Sequence, residues 1–423
     1  MKLLFLCITF LLTICTNISG QQLPVIRATS KVVDVRDGNH FKKALWYIMP
    51  EKRPDTYYVE VPRKIHQVTF YTDKDSISFN TKYGGKYNFV ILLNGKDSCY
   101  TQIVAAPKKL LTPVGTIHKG IVGSDTIPFT IGNNDKIFIK ASINHSDTLK
   151  FQFDLGSSIS GIKTNASKKV NFKFDPEDSN GERISSNNHL QIAKLSWDSV
   201  IFQVYDHNLS YREDGLLGNG LFMDKVVEIN YDKMIIVVHD SVPKQISSYH
   251  KQDMIFEGVV PQIQATVQSL TGKKAKLWFI YDTGDSGNAY ISADMAAQYQ
   301  LYDGVNKIIT VPGREIVRLP SLIASSYRFN NLSAILGTPD PNRKEFSILG
   351  NALLKRFNVI LDNRNGYIYI KANSIINEPF ENIELKIYGS IATVILVLIV
   401  IAALTRLIYK KRKLKRLSTG RDL

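Results

Sequence analysis

The stretch Tyr281–Tyr290, YDTGDSGNAY, holds two short motifs that overlap. Asp282-Thr283-Gly284 is typical of a loop that carries a catalytic carboxylate. GDSG, residues 284–287, is typical of a loop around a nucleophilic serine. The two interpretations exclude each other, because they give one loop two different chemistries. The rest of the chain therefore has to distinguish them.

A second copy of the Asp-x-Gly loop lies upstream of the first. A predicted hairpin of Ile137–Ile143 and Leu149–Phe153 leads into Asp154-Leu155-Gly156. A matching hairpin of Ile263–Val267 and Ala275–Tyr281 leads into Asp282. Short segments rich in β-branched and aromatic residues, separated by polar turns, predict β-strands.

The downstream halves of the two copies also match. LLGNGL contains Leu217-Gly218-Asn219, and SILGNAL contains Leu349-Gly350-Asn351. From the aspartate to this glycine there are 64 residues in the first copy (154 to 218) and 68 in the second (282 to 350). Such a repeat predicts two related lobes, 118–245 and 246–375, that are mostly β.

These elements resemble the aspartic peptidases of the pepsin-like and retropepsin-like superfamily. The resemblance covers roughly residues 118–372 and rests on FIYDTG, FQFDLG and the two Leu-Gly motifs. It implies an endopeptidase in which two carboxylates share one proton and activate a water. The residues it implies are the dyad Asp154 and Asp282, the supporting loop residues Gly156, Ser157, Thr283 and Gly284, and the structural glycines Gly218 and Gly350 behind the loops.

Two residues depart from the family pattern and keep an alternative open. Leu155 stands where the family has a threonine or serine, and Asp285 stands where it has a small residue. The alternative is a catalytically inactive relative that binds a peptide or envelope protein in the cleft between the lobes. A third hypothesis makes the N-terminal β-domain the recognition module. Tyr205 is a candidate flap tyrosine by its location alone.

Other chemistries find no support in the sequence. A nucleophilic Ser286 needs a histidine base, and the eight histidines are scattered outside any recognisable base motif. There is no HExxH, no paired-cysteine spacing, no calcium loop and no glycine-rich phosphate loop. We therefore expect neither a metal nor a cofactor, and a protein or peptide as the substrate.

The chain ends predict export and a membrane anchor. Residues 1–20 read as a signal peptide, and 387–408 as one transmembrane helix followed by a basic tail, 409–423. From Arg406 to the C-terminus, eight Lys or Arg and one Asp contribute +7 of the formal +15, so the charge does not indicate nucleic-acid binding. The tail would be cytoplasmic and the rest extracytoplasmic.

The mature N-terminal region, 21–105, has the composition of a small β-sandwich and is followed by a linker, 106–117. Cys99 is the single cysteine after the signal peptide, so no internal disulfide is expected, which favours a bacterial cell envelope. The predicted fold is thus mostly β: an N-terminal β-sandwich-like domain, two lobes of aspartic-peptidase type and one C-terminal transmembrane helix.

Overall fold

The computed structural model describes residues 23–37, 44–59, 66–105, 124–176, 183–206, 213–223, 225–338 and 346–419. The predicted signal peptide and the predicted linker lie outside these residues. The fold class expected from the sequence is confirmed, because the chain forms a sandwich, two closed barrels and one long apolar helix.

The N-terminal region is a sandwich of two four-stranded sheets, in the orders β1-β7-β8-β4 and β3-β2-β5-β6. Its strands are β1 Val25–Ala28, β2 Val32–Asp37, β3 Ala44–Tyr47, β4 Asp55–Tyr58, β5 His66–Tyr71, β6 Ser76–Thr81, β7 Lys86–Leu93 and β8 Asp97–Val104. Residues alternate between buried and partly exposed along β2, as expected for a strand with one face on the core. Phe70 and Phe89, one from each sheet, pack with ring centroids 5.0 Å apart, so both sheets share one core.

The first lobe is a closed barrel of six strands in the order β11-β12-β16-β13-β15-β14, with β14 pairing back to β11. The strands are β11 Ile137–Ile143, β12 Leu149–Asp154, β13 Ser160–Lys163, β14 Arg183–Ile192, β15 Leu195–Tyr205 and β16 Gly215–Gly218. A two-residue strand, β10 Thr130–Ile131, adds to β11. Closure pairs every strand edge and excludes water from the barrel core.

The second lobe is a barrel with the same connectivity, β20-β21-β26-β22-β25-β24, closed by pairing of β24 with β20. The strands are β20 Val260–Gln268, β21 Lys274–Asp282, β22 Ala289–Ile291, β24 Arg314–Ala324, β25 Tyr327–Gly337 and β26 Ile348–Gly350. An extra strand, β23 Asn306–Val311, forms a hairpin with β24. The two barrels therefore place their Asp-x-Gly loops in equivalent positions.

A six-stranded sheet, β19-β28-β27-β17-β18-β9, joins the lobes. Its strands are β9 Ser124–Pro128, β17 Val226–Asn230, β18 Ile235–His239, β19 His250–Glu257, β27 Phe357–Asp362 and β28 Tyr367–Ala372. At its centre β17 of the first half pairs with β27 of the second, and every residue of β27 is buried. One continuous apolar core runs through both barrels and this sheet.

In the described ranges of the chain, helices are few and mostly short. They are α1 Thr164–Ser167, a 3-10 helix Asn219–Phe222, α2 Ala293–Gln298, α3 Asn351–Leu354 and α4 Ile383–Thr419. Within α4, Ile383–Lys410 is long and apolar enough to cross a membrane. The helix starts earlier than the predicted span because the Asn382 side chain accepts a hydrogen bond from the Leu385 N–H at 3.2 Å, as an N-cap does.

The segment before α4 is held by Arg356, which lies between α3 and β27 and is 3% exposed. Its guanidinium donates to the carbonyls of Ile375, at 2.8 Å, and Glu378, at 2.6 Å. It also lies 3.8 Å from the centroid of the Phe380 ring. In the first turn of α4, Glu384 accepts a hydrogen bond from Arg318 at 3.0 Å. The helix is thus joined to the barrel by several contacts.

Candidate active site

Each candidate aspartate is the last residue of a buried barrel strand. Asp154 ends β12 and pairs in parallel with Gly218 of β16. Asp282 ends β21 and pairs in the same way with Gly350 of β26. The two aspartates with their paired glycines therefore occupy equivalent places in the two barrels.

The structure brings the two Asp loops into direct contact. A Cβ atom built on Gly156 would overlap the carboxylate of Asp282, and one built on Gly284 would overlap the carboxylate of Asp154. Each carboxylate thus lies against the glycine of the other loop. Because only a residue without a Cβ allows this approach, the sequence needs glycine in both loops.

A single threonine braces the two loops against each other. The Thr283 hydroxyl is buried, accepts a hydrogen bond from the Leu155 N–H at 3.0 Å and donates to the Phe153 carbonyl at 2.8 Å. Leu155, at the position equivalent to Thr283, is fully buried in the apolar core and carries no hydroxyl. The brace is therefore made from the second lobe alone.

The carboxylates receive different hydrogen bonds. Oδ1 of Asp282 accepts from the N–H groups of Gly284, at 2.8 Å, and Asp285, at 3.1 Å. Oδ2 of Asp154 accepts from the side-chain amide of Gln152 at 2.8 Å. The oxygen of that amide accepts in turn from the Lys136 ammonium at 3.2 Å. The second oxygen of Asp154 is buried with no hydrogen-bond partner among the described residues.

Burial of this pair favours its protonated form. Burial, reinforced by the charges of Asp154 and Asp285, raises the pKa of Asp282 to about 8. Burial also raises the pKa of Asp154, although hydrogen bonding to Asp282, the charge of Lys136 and the Gln152 amide act in the opposite direction. Two adjacent carboxyl groups resist being ionised together, so over an intermediate pH range such a pair holds one proton between them.

The other predicted loop residues take supporting positions. The Ser157 hydroxyl donates to the Ile159 carbonyl at 2.9 Å. Asp285 closes a turn by accepting from the Gly287 N–H at 2.6 Å. A Cβ on Gly218 would lie 2.7 Å from the Ser157 carbonyl oxygen, and one on Gly350 would overlap Asp285 and the Gly287 carbonyl. Both glycines therefore pack directly behind the Asp loops.

Sequence reasoning did not assign a role to the asparagines of the two Leu-Gly-Asn motifs. The Asn219 amide donates to the Val259 carbonyl of the second lobe at 2.8 Å. The Asn351 amide donates to the Asp135 carbonyl of the first lobe at 2.5 Å. The asparagine of each motif thus contacts a hairpin turn of the opposite lobe. The presence of asparagine in both copies of the motif was the sequence signal that could have indicated this role. Gln152 was also missed, although it is the one polar residue between two buried phenylalanines.

Two weaker candidates do not take the roles that the sequence suggested for them, although Tyr205 lies close enough to Asp154 for the charge of Asp154 to raise its pKa. Tyr205 is the last residue of β15, pairs with Lys163 of β13 and has its ring against Gly161, so it lies on a barrel strand rather than at a hairpin tip. Ser286 is exposed, and the histidine–carboxylate pairs in the described parts of the chain are His189–Asp198 and His239–Glu228. Those parts hold no group of three or more His, Cys, Asp or Glu suited to a metal ion.

Comparisons with known proteins find likenesses among solved structures. No protein-family model matches the chain, and no curated protein matches its sequence. Among solved structures, the crystal structure of an aspartic proteinase from Irpex lacteus matches with a TM-score of 0.42 and 13% sequence identity, covering 61% of this chain and 100% of that chain.

Proposed function

We propose that the chain is an aspartic-type endopeptidase that hydrolyses peptide bonds with Asp154 and Asp282. The observation that carries this proposal is the reciprocal contact between each carboxylate and the glycine of the opposite loop. The two loops lie at equivalent places in two barrels of the same connectivity. Burial raises the pKa of both acids. An extended peptide would bind between the lobes.

The proposed reaction needs no metal and no covalent intermediate. With Asp154 ionised and Asp282 protonated, Asp154 takes a proton from the water whose oxygen attacks the peptide carbonyl carbon. Asp282 gives its proton to the carbonyl oxygen, and a neutral tetrahedral diol forms. When the C–N bond breaks, the nitrogen takes the proton from Asp154 and Asp282 regains one from a diol hydroxyl. The dyad returns to its starting protonation state.

Anchoring and location are part of the same proposal. Ile383–Lys410 would cross the membrane once, with the basic residues from Lys410 onward on the cytoplasmic side. The sandwich and both barrels would then lie outside the cytoplasm, in a cell envelope. A protease held in this way acts on protein or peptide substrates at the membrane surface.

The test is cleavage of a mixed peptide library by the full chain in detergent micelles from pH 3 to pH 9. We expect cleavage by the wild type, block by a statine-type transition-state inhibitor, and complete loss in Asp282→Asn. The control, Asp147→Asn, changes an exposed turn residue and should cleave normally. Because Asp282 must hold its proton, activity should fall as the pH rises through about 8. Cleavage by Asp282→Asn would refute the dyad.

A peptide-binding role without catalysis is the second candidate, favoured by the brace that Leu155 leaves one-sided. The same experiment separates the two functions. Binding of the statine-type inhibitor by a folded protein that cleaves nothing at any pH would support the binding role. Cleavage that the inhibitor blocks would exclude it.

A further inference from the structure

A dyad of two identical acids needs an asymmetry to decide which acid carries the shared proton. The two Asp strands differ at the second residue before the aspartate, which is Gln152 in β12 and Ile280 in β21. Residues two apart in a strand lie on the same face, so each of these side chains projects beside its own aspartate. In this position the first lobe offers a hydrogen-bond donor and the second lobe offers a hydrocarbon.

Gln152 is held in one orientation by Lys136. Its side chain is buried, with 6% of the residue exposed. Lys136 ends the turn before β11, and its ammonium lies 3.2 Å from the Gln152 carbonyl oxygen. An ammonium group can only donate, so the Gln152 oxygen must face Lys136 and its N–H must face Asp154, at 2.8 Å. The carboxylate of Asp154 therefore always meets a donor.

The charges around the dyad reinforce this difference. Near Asp154 are the cation Lys136 from the turn, the Tyr205 hydroxyl group from β15 and Asp282 from the opposite loop. The charge of Glu213 acts on Tyr205 as well. Near Asp282 are Asp154 and a second anion, Asp285, from its own loop. The N–H groups of Gly284 and Asp285 also donate to Asp282, but burial and the two anions outweigh them and its pKa is raised. A donor and a cation favour an ionised carboxylate, whereas a neighbouring anion favours a protonated one.

We propose that Gln152, oriented by Lys136, is a positioning residue that keeps Asp154 ionised and so places the shared proton on Asp282. This inference rests on the proposed function, since it assigns the base to Asp154 and the acid to Asp282. It also predicts that the first lobe, despite its missing threonine hydroxyl, supplies the basic member of the pair.

The first experiment is the pH profile of kcat/KM for Gln152→Ile, which gives the first lobe the residue of the second. Without the amide donor, Asp154 ionises at higher pH, so the acid limb should move up by about one unit, a loss of ~10-fold at a pH below that limb. Lys136→Met should move it in the same direction by less, without changing the barrel core. Lys140→Met, an exposed lysine of β11, should leave the profile unchanged. A uniform loss at every pH, with the limb unmoved, would overturn the proposal.

A second measurement does not depend on cleavage. We would follow thermal unfolding of the full chain from pH 3 to pH 8 for the wild type, Lys136→Met and Gln152→Ile. Both variants should lose stability relative to the wild type as the pH rises and Asp154 ionises, and adding Asp154→Asn should remove this pH dependence. If the wild type cleaves nothing but this pattern is present, the peptidase proposal fails and the role of Gln152 stands. If Lys136→Met shows no pH-dependent difference, the role of Gln152 is refuted.

Discussion

At the scale of single residues, the brace between the two Asp loops depends on one hydroxyl group. The Thr283 hydroxyl holds both the Leu155 N–H and the Phe153 carbonyl, and both bonds are buried. Leu155 fills the equivalent position with apolar volume and packs in the core instead. At this position the first loop therefore contributes a packed apolar side chain, and the second loop contributes a hydroxyl that hydrogen-bonds to the main chain of the first. Because only Thr283 supplies a bracing hydroxyl, its loss should matter more than it would if both loops carried a hydroxyl at this position.

Replacing Thr283 with valine should destabilise the protein and reduce cleavage. Valine keeps the shape of threonine but leaves two buried main-chain groups without a partner, at a cost of roughly 2–4 kcal/mol in the free energy of unfolding. Thr283→Ser keeps the hydroxyl and should lose less. Urea unfolding of both variants measures this difference. Equal stability of the valine and serine variants would show that the hydroxyl is not the brace.

At the scale of elements, the position of each Asp loop is fixed by the short strand beside it. β16 and β26 place Gly218 and Gly350 directly behind the loops, where a side chain would displace the loop main chain. The 3-10 helix and α3 then begin at Asn219 and Asn351, whose side chains cross to the opposite lobe. Loop geometry and lobe contact thus depend on the same three-residue motif.

Adding one methyl group behind the second loop should test whether the loop depends on this close packing. Gly350→Ala should cost roughly 1–3 kcal/mol of stability, because the new Cβ overlaps the Asp285 side chain and the Gly287 carbonyl. The control is Gly220→Ala in the 3-10 helix, where a Cβ would make ordinary contacts at 3.9 Å. We expect Gly350→Ala to lower the thermal midpoint and the cleavage rate together. A neutral Gly350→Ala would mean that the loop does not depend on close packing there.

The strands were predictable from sequence because their alternation and turns are local signals. β11 has the predicted limits, and β12 and β21 extend to include the aspartates themselves. Ala44–Tyr47 is a strand because it pairs with β2, a contact that its local sequence does not reveal. The Lys136–Gln152–Asp154 chain was not predictable, because strand pairing brings Gln152 opposite Phe138 and so places it near the preceding turn. A single sequence contains no signal for such cross-strand neighbours.

At the scale of the whole molecule, the two barrels, the joining sheet and the long helix are connected through the second lobe. Arg356 follows α3 in sequence and holds the carbonyls of Ile375 and Glu378. Phe380 packs between Arg356 and Phe329, whose ring centroid is 5.6 Å away. Arg356, which lies just after α3, therefore holds the segment that leads to α4.

Arg356→Met should loosen that segment and destabilise the second barrel. The variant removes the donor from two part-buried carbonyls, which should cost about 1–3 kcal/mol in the free energy of unfolding. Limited proteolysis should then cut within 375–380 faster than in the wild type. Arg314→Met, an exposed arginine of β24, is the matched control. Unchanged protection in Arg356→Met would show that the other contacts are sufficient to hold the segment.

The Arg356 and Glu384 contacts also have a mechanical consequence. A helix of 37 residues is about 55 Å long, so α4 extends far from the second barrel, which it contacts at its N-terminal end. Under the proposed anchoring, these contacts would fix the second barrel relative to the helix axis, and hence relative to the membrane, as a flexible tether would not.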